Sequence, residues 1–121
     1  LGISMIAVGE AFVLAEKLGL SHQALFDVVS TASGQCWSMN TYCPVPGPVP
    51  TSPANNDYKP GFAAELMLKD LSLAMAAARR THADCALGAH AKDIYDTFKS
   101  EGHADQDFSA IINAIRARSG E

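Results

Sequence analysis

All six prolines of this 121-residue chain lie between Pro44 and Pro60. Proline lacks a backbone N–H and its ring clashes with the preceding turn, so it ends or kinks a helix. Residues 44–60 are thereby barred from regular helix, while the segments on either side are free of the strongest helix breaker. The chain is confined to helical stretches joined by one long irregular connection, "SGQCWSMNTYCPVPGPVPTSPANNDYKPGF", residues 33–62. That stretch also holds the only tryptophan and two of the three cysteines. Connections in compact domains usually run to about four to six residues, and much longer ones are either functional or disordered. Disordered linkers are poor in aromatic and apolar residues. This one carries Trp37, Tyr42, Tyr58 and Phe62, with Met39, Val45 and Val49. It therefore reads as an ordered loop packed on a helical body, with Pro44–Pro53 open to a stiff polyproline-type spacer.

The flanking segments show helical signals and no alternating strand pattern of useful length. Residues 1–18 are apolar on nearly every side, the mark of a helix in the middle of a structure. No Ser, Thr or Asp caps the first apolar residues, so the chain opens as if in mid-helix. Glu10, Glu16 and Lys17 interrupt the apolar run, which falls short of the roughly 20 residues a membrane span needs. Gly19 is a natural stop. Ser21 caps a second helix, expected to end near Gly34. The strongest helix is "AAELMLKDLSLAMAAARRTH", rich in good helix formers and introduced by Pro60 and Gly61. "GAHAKDIYDTFKSEG" and "DQDFSAIINAIRARSG" complete the set, the last expected to be capped by Asp105. The expectation is an all-α domain of about five helices.

Bulk properties narrow the function. A formal net charge of −4 gives no electrostatic footprint for nucleic acid or an anionic membrane. Three cysteines without framework spacing suggest reduced thiols. A disulfide between Cys36 and Cys43 is not expected, and Cys85 reads as a small core residue. The four histidines show no metal-ligand spacing with the cysteines.

On a helical wheel, Phe62, Leu66 and Leu73 share a narrow arc with Lys69 at its edge, while Met67, Leu68, Leu71 and Met75 cover a second apolar face. Lys69 has two readings. One is an ordinary surface pair with Glu65 at i and i+4; the other is a functional cation on an apolar surface. Asp70, lying between the apolar faces, reads from pattern alone as a structural carboxylate tying down a loop or an arginine. Trp37 is either a plug for the loop or part of a site wall.

Four stretches, "ISMIAVGEAFVLAEKLGL", "SGQCWSMNTYCPVPG", "GFAAELMLKDLSLA" and "DFSAIINAI", occur in this order across essentially the whole chain. Together they resemble the C-terminal helical domain of the β-hydroxyacid dehydrogenase family, which is 6-phosphogluconate-dehydrogenase-like in fold. The loop resembles the 3-hydroxyisobutyrate dehydrogenase branch in particular. The "KDL" helix is shared more widely, including by tartronate semialdehyde reductases.

The resemblance implies a two-domain NAD-dependent oxidoreductase, with NADP open, that oxidises 3-hydroxyisobutyrate or a similar small hydroxy acid to the semialdehyde in valine catabolism. It implies a Rossmann domain with a Gly-rich phosphate turn and a catalytic lysine on the interdomain helix. Neither motif is in this sequence, so residues 1–121 would be the helical substrate and dimerisation domain, starting inside that helix and inactive alone. By resemblance, Lys69 would contact the cofactor, Trp37, Tyr42 and Phe62 would line the substrate cleft, and Asp70 would support the site. The resemblance further implies a homo-oligomer, dimer or tetramer, in a bacterial cytoplasm or a mitochondrial matrix, with no nucleic-acid or membrane partner and no metal. The reading from another class is a stand-alone helical dimerisation module.

Overall fold

The computed structural model describes residues 1–120, among which six α-helices and no strand are found. Helix α1, Gly2–Lys17, runs through the middle and packs on four of the other helices. It buries Met5, Ile6, Val8, Phe12 and Val13. Gly9 permits the close crossing with the last helix: a Cβ there would stand 3.0 Å from the Ile115 side chain. One face of α1 is uncovered all the same, with Ile3 42% and Leu14 60% exposed.

Helix α2, His22–Val29, is capped as the sequence predicts, with Ser21 Oγ accepting from the Ala24 N–H at 3.1 Å. It ends five residues before Gly34. Thr31 Oγ1 turns back onto the Asp27 carbonyl at 3.3 Å and approaches that of Val28, a local side-chain bond that competes with further helix. Helix α3, Trp37–Asn40, is a single turn within the long loop that the sequence reading did not anticipate.

The rest of the loop is ordered, but it is no polyproline spacer. Cys43, Pro44 and Val45 are buried. The Tyr58 hydroxyl donates to the Pro44 carbonyl at 2.7 Å. Asn55 ties the proline-rich arc to itself: its Oδ1 accepts from Gly47 N–H at 2.9 Å, and its Nδ2 donates to the Val49 carbonyl at 2.8 Å. Buried apolar side chains on a pinned backbone, rather than proline stiffness, set its shape.

Helix α4, Ala64–Thr81, has no side-chain cap. Its leading N–H groups, which no helix can satisfy internally, donate across the chain: Ala64 to the Gln106 carbonyl at 2.8 Å and Glu65 to that of Ala104 at 3.0 Å. Helix α5, Ala86–Phe98, unwinds into a π-type turn over Lys99–His103. Helix α6, Ile111–Arg118, follows a 3-10 turn, Phe108–Ala110, capped by Asp107 rather than by the expected Asp105. The core is built from Met5, Phe12, Tyr95, Phe98, Phe108, Ile111 and Ile112.

Two ends of the chain meet in an ionic cluster. Arg116 Nη2 lies 2.7 Å from Glu16 Oε2, Arg116 Nε donates to Oε1 at 3.1 Å, and His22 Nε2 sits 2.7 Å from the same carboxylate. The Arg116 guanidinium bonded to Glu16 holds that carboxyl below its ordinary 4.5, against an opposing effect of burial and with His22 adding to the lowering. A carboxyl depressed in the folded state contributes stability above its unfolded value and loses it as pH falls through the folded one. Arg116→Ala is therefore expected to cost about 1–2 kcal/mol near neutrality, more than an exposed pair because the contact is bidentate and partly buried. The gap from wild type should narrow below about pH 4.5. Urea unfolding of both chains at pH 7 and near pH 3 checks this, and an equal gap at both would contradict it.

Candidate functional site

The turn of α3 sets the geometry of the loop face. It closes with the Tyr42 N–H donating to the Trp37 carbonyl at 3.1 Å, which folds the Tyr42 ring back onto the indole. The two rings stack at 4.8 Å between centroids and 23° between planes. Tyr42 in turn lies 5.3 Å from Phe108, and Phe62 meets Phe108 edge-on at 5.5 Å. Offset and edge-to-face arrangements of this kind stabilise beyond the area they bury. Trp37, Tyr42 and Phe62, the three residues singled out for a cleft wall, thus form one aromatic tier on a buried Phe108. Trp37 is its exposed top, 50% accessible, so it does not plug the core.

Beneath the tier lies Asp107, fully buried. Its Oδ1 accepts from the Tyr42 hydroxyl at 2.6 Å and from the Gly61 and Phe62 N–H groups at 3.0 Å each. Its Oδ2 accepts from the Ser109 N–H at 3.0 Å and from the Ser109 hydroxyl. Burial, reinforced by the bond to Asp107, pushes the Tyr42 phenol far above its usual range. It stays protonated and donating, with its hydroxyl turned inward and its ring outward. Gly61 has to be glycine here, because a Cβ would stand 2.8 Å from the Tyr42 hydroxyl oxygen.

Phe62 leads into α4, whose outer face continues from the tier. Leu66, 45% exposed, Lys69, Asp70 and Leu73, 61% exposed, line that face. The Glu65–Lys69 pair of the surface reading is not formed, and Lys69 has no ion pair among the described residues. Asp70 is exposed and, among the described residues, holds neither a loop nor an arginine. The structural carboxylate that pattern reading looked for is Asp107, which that reading passed over. The legible signal was an Asp two residues ahead of a Ser at the head of an apolar run, a cap pattern; Asp105 was the neighbouring decoy.

The cysteine readings also shift. All three thiols are free; Cys85 is exposed at the head of α5, and Cys43 is the core residue. Burial pushes the Cys43 thiol up, which removes it as a nucleophile. No group of three or more His, Cys, Asp or Glu suited to a metal occurs among the described residues. No helix there is long and apolar enough to cross a membrane.

The face combines an apolar aromatic wall with Lys69, a cation without an ion pair among the described residues. The Tyr42 hydroxyl and the Asp107 carboxylate are locked to each other, so neither is available to exchange a proton with a ligand.

Comparison with known proteins gives this face a context. Residues 1–115 match the family model described as NAD-binding of NADP-dependent 3-hydroxyisobutyrate dehydrogenase. The chain is 63% identical over 118 residues to the "Probable 3-hydroxyisobutyrate dehydrogenase" of Mycobacterium bovis, covering 98% of this chain and 40% of that protein. It is 40% identical over 116 residues to the mitochondrial 3-hydroxyisobutyrate dehydrogenase of Homo sapiens, covering 96% and 34% respectively. A solved structure of Mycobacterium tuberculosis 3-hydroxyisobutyrate dehydrogenase with L-serine superposes with a TM-score of 0.92 at 62% identity, over 95% of this chain and 39% of that one. One of 3-hydroxyisobutyrate dehydrogenase from Salmonella typhimurium gives 0.80 at 26% identity, over 93% and 37%. The chain spans about 40% or less of the length of these relatives.

Proposed function

The chain belongs to the family of NAD-binding domains of NADP-dependent 3-hydroxyisobutyrate dehydrogenase, and from that premise we propose that it is the helical, substrate-side domain of an NAD(P)-dependent dehydrogenase of 3-hydroxyisobutyrate in valine breakdown. One observation carries the reading. The Trp37–Tyr42–Phe62 tier passes directly into the α4 face that presents Lys69, which has no carboxylate partner among the described residues.

The residues fit one side of a dinucleotide site. A cation left unpaired between Leu66 and Leu73 suits an anionic cofactor lying across an apolar surface. No Gly-rich phosphate turn occurs in the sequence, so the pyrophosphate cradle falls to another domain. When bound, the nicotinamide supplies the hydride acceptor. Lys69 holds the cofactor by charge, while Trp37, Tyr42 and Phe62 wall the hydroxy acid and keep water from it. Proton transfer falls to a residue outside residues 1–121, since Tyr42 and Asp107 are committed to each other.

The uncovered α1 face points to self-association. Ile3, Ile6, Ala7, Leu87, Ala91 and Ile94 line most of a groove of about 260 Å³ between α1 and α5, and contiguous apolar surface of this kind tends to find a partner. In this reading the protein is a homo-oligomer through its helical domain.

The test is turnover. The full-length protein is expected to reduce NAD or NADP with 3-hydroxyisobutyrate, and residues 1–121 alone to give no rate above buffer, because neither proton transfer nor hydride acceptance is positioned within them. Turnover by the 121-residue chain, or none by the full-length protein, counts against the proposal. Light scattering on the isolated chain at micromolar concentration is expected to give a dimer or larger species; a monomer over a wide concentration range contradicts the association.

A further inference from the structure

We propose that Asp107 is the positioning residue of the substrate wall, fixing Tyr42, and through it Trp37, without touching the ligand. The inference rests on the reading of the Trp37 face as that wall, and it adds a residue that neither the loop nor the "KDL" helix contains. Trp37 has no depth of its own: it is half exposed, on a single helical turn, and what supports its ring is the Tyr42 ring stacked against it. Tyr42 is fixed at its far end by the 2.6 Å bond to Asp107 Oδ1.

The same oxygen takes the N–H groups of Gly61 and Phe62. One buried atom therefore registers both halves of the wall, the Trp37–Tyr42 stack and the Phe62 approach to α4. Asp107 is itself held from four sides. Its N–H donates to the Tyr58 carbonyl at 2.9 Å, and its Oδ2 is held by Ser109. The next residue's N–H donates to the Phe62 carbonyl at 2.8 Å, while the Phe108 carbonyl accepts from the Tyr95 hydroxyl at 3.0 Å. A group so constrained transmits its position to whatever it bonds. Small misplacements at a reacting site are costly, on the order of 100-fold for about 1 Å.

A second consequence concerns specificity. Because the Tyr42 hydroxyl is spent inward, the wall offers ring surface there and not a hydrogen-bond donor. That favours an alkyl group on the substrate over a hydroxyl at the same place, since a polar substituent against a ring face loses its water without gaining a partner.

The test is a double-mutant cycle in the full-length protein with Tyr42→Phe, Asp107→Asn and the pair. Each single variant is expected to raise KM for the hydroxy acid about tenfold while leaving KM for the dinucleotide within about twofold, and the pair to be no worse than the worse single. A merely structural role would lower kcat through the folded fraction and leave both KM values alone. Additive effects, or an unmoved hydroxy-acid KM, overturn the proposal.

Two further measurements keep the outcomes apart. Trp37 is the only tryptophan in the chain, so its emission in residues 1–121 reads the stack without any activity. Tyr42→Phe is expected to shift that emission to the red and raise its quenching by acrylamide; unchanged emission overturns the link even if Asp107→Asn fails to fold. Trp37→Ala in the full-length protein tests the underlying reading. If it leaves the hydroxy-acid KM unchanged, the wall assignment fails and the positioning role with it, whereas a raised KM together with silent Tyr42 and Asp107 variants rejects the positioning role alone.

Discussion

Asp107→Ala is expected to destabilise the isolated chain by about 3–5 kcal/mol, the largest loss from a single side chain outside the apolar core. The substitution strips the acceptor from five donors: the Tyr42 and Ser109 hydroxyls and the N–H groups of Gly61, Phe62 and Ser109. Two effects oppose the loss. Removing the buried carboxylate also removes the cost of desolvating it on folding. The space left is polar and admits water to some of the orphaned donors. Simple addition over five charge-assisted bonds, at about 1.5–3 kcal/mol each, therefore overshoots. The damage still exceeds that of an ordinary surface change because the donors belong to three segments, the loop, the approach to α4 and the head of α6. In a domain of this size the figure corresponds to a fall in Tm of roughly 10–20 °C. Asp70→Ala is the control: an exposed carboxylate without a partner among the described residues is expected to change stability by no more than about 0.5 kcal/mol. Urea and thermal unfolding of the two variants decide the matter, and a loss below about 1 kcal/mol for Asp107→Ala would show that the network is not holding the loop.

The contrast between these two aspartates shows what a sequence can and cannot reveal here. Helix existence was legible, because proline placement and 3.6-residue patterning act locally: α1, α4 and α5 stand close to where the pattern puts them. The resemblance, rather than the pattern, singled out Trp37, Tyr42 and Phe62 together, and the structure brings their rings together on Phe108. Asp107 was not legible, because apart from its local cap bonds to Ser109 its partners lie 45 to 65 residues away in the chain. The single turn of α3 was hidden for a different reason: four residues carry too little periodicity to register. The start of α4 was marked to within a residue by Pro60 and Gly61, but that its leading N–H groups donate to distant carbonyls rather than to a nearby side chain was not legible. The disposition of Leu66 and Leu73 was half legible. Their shared arc with Lys69 was read correctly, and only the structure shows that this arc faces outward.

That outward arc carries the remaining large prediction. In the full-length protein, Lys69→Ala is expected to lower kcat/KM by about 10- to 150-fold, the cost of one charge-assisted hydrogen bond to an anionic cofactor. Thermal stability should hardly move. A lysine with no ion pair among the described residues has no intramolecular bond to lose, and an i, i+4 surface pair with Glu65 would have contributed only about 0.2–0.5 kcal/mol. The two readings of Lys69 thus separate on two axes, kinetics with stability unchanged against a slight stability change with kinetics unchanged. The cofactor should register the loss before the hydroxy acid does, because Lys69 lies two turns along α4 from Phe62 and the aromatic wall. Lys69→Arg keeps the charge and is expected to recover most of the activity; Lys69→Gln keeps length without charge and is not. The loss should also shrink as salt rises, since a solvent-exposed cation is screened over roughly 10 Å at 0.1 M salt. A Lys69→Ala enzyme within about twofold of wild type for both dinucleotide and hydroxy acid, a shift below roughly 0.4 kcal/mol, would remove α4 from the site and leave the aromatic tier as a structural feature of the loop.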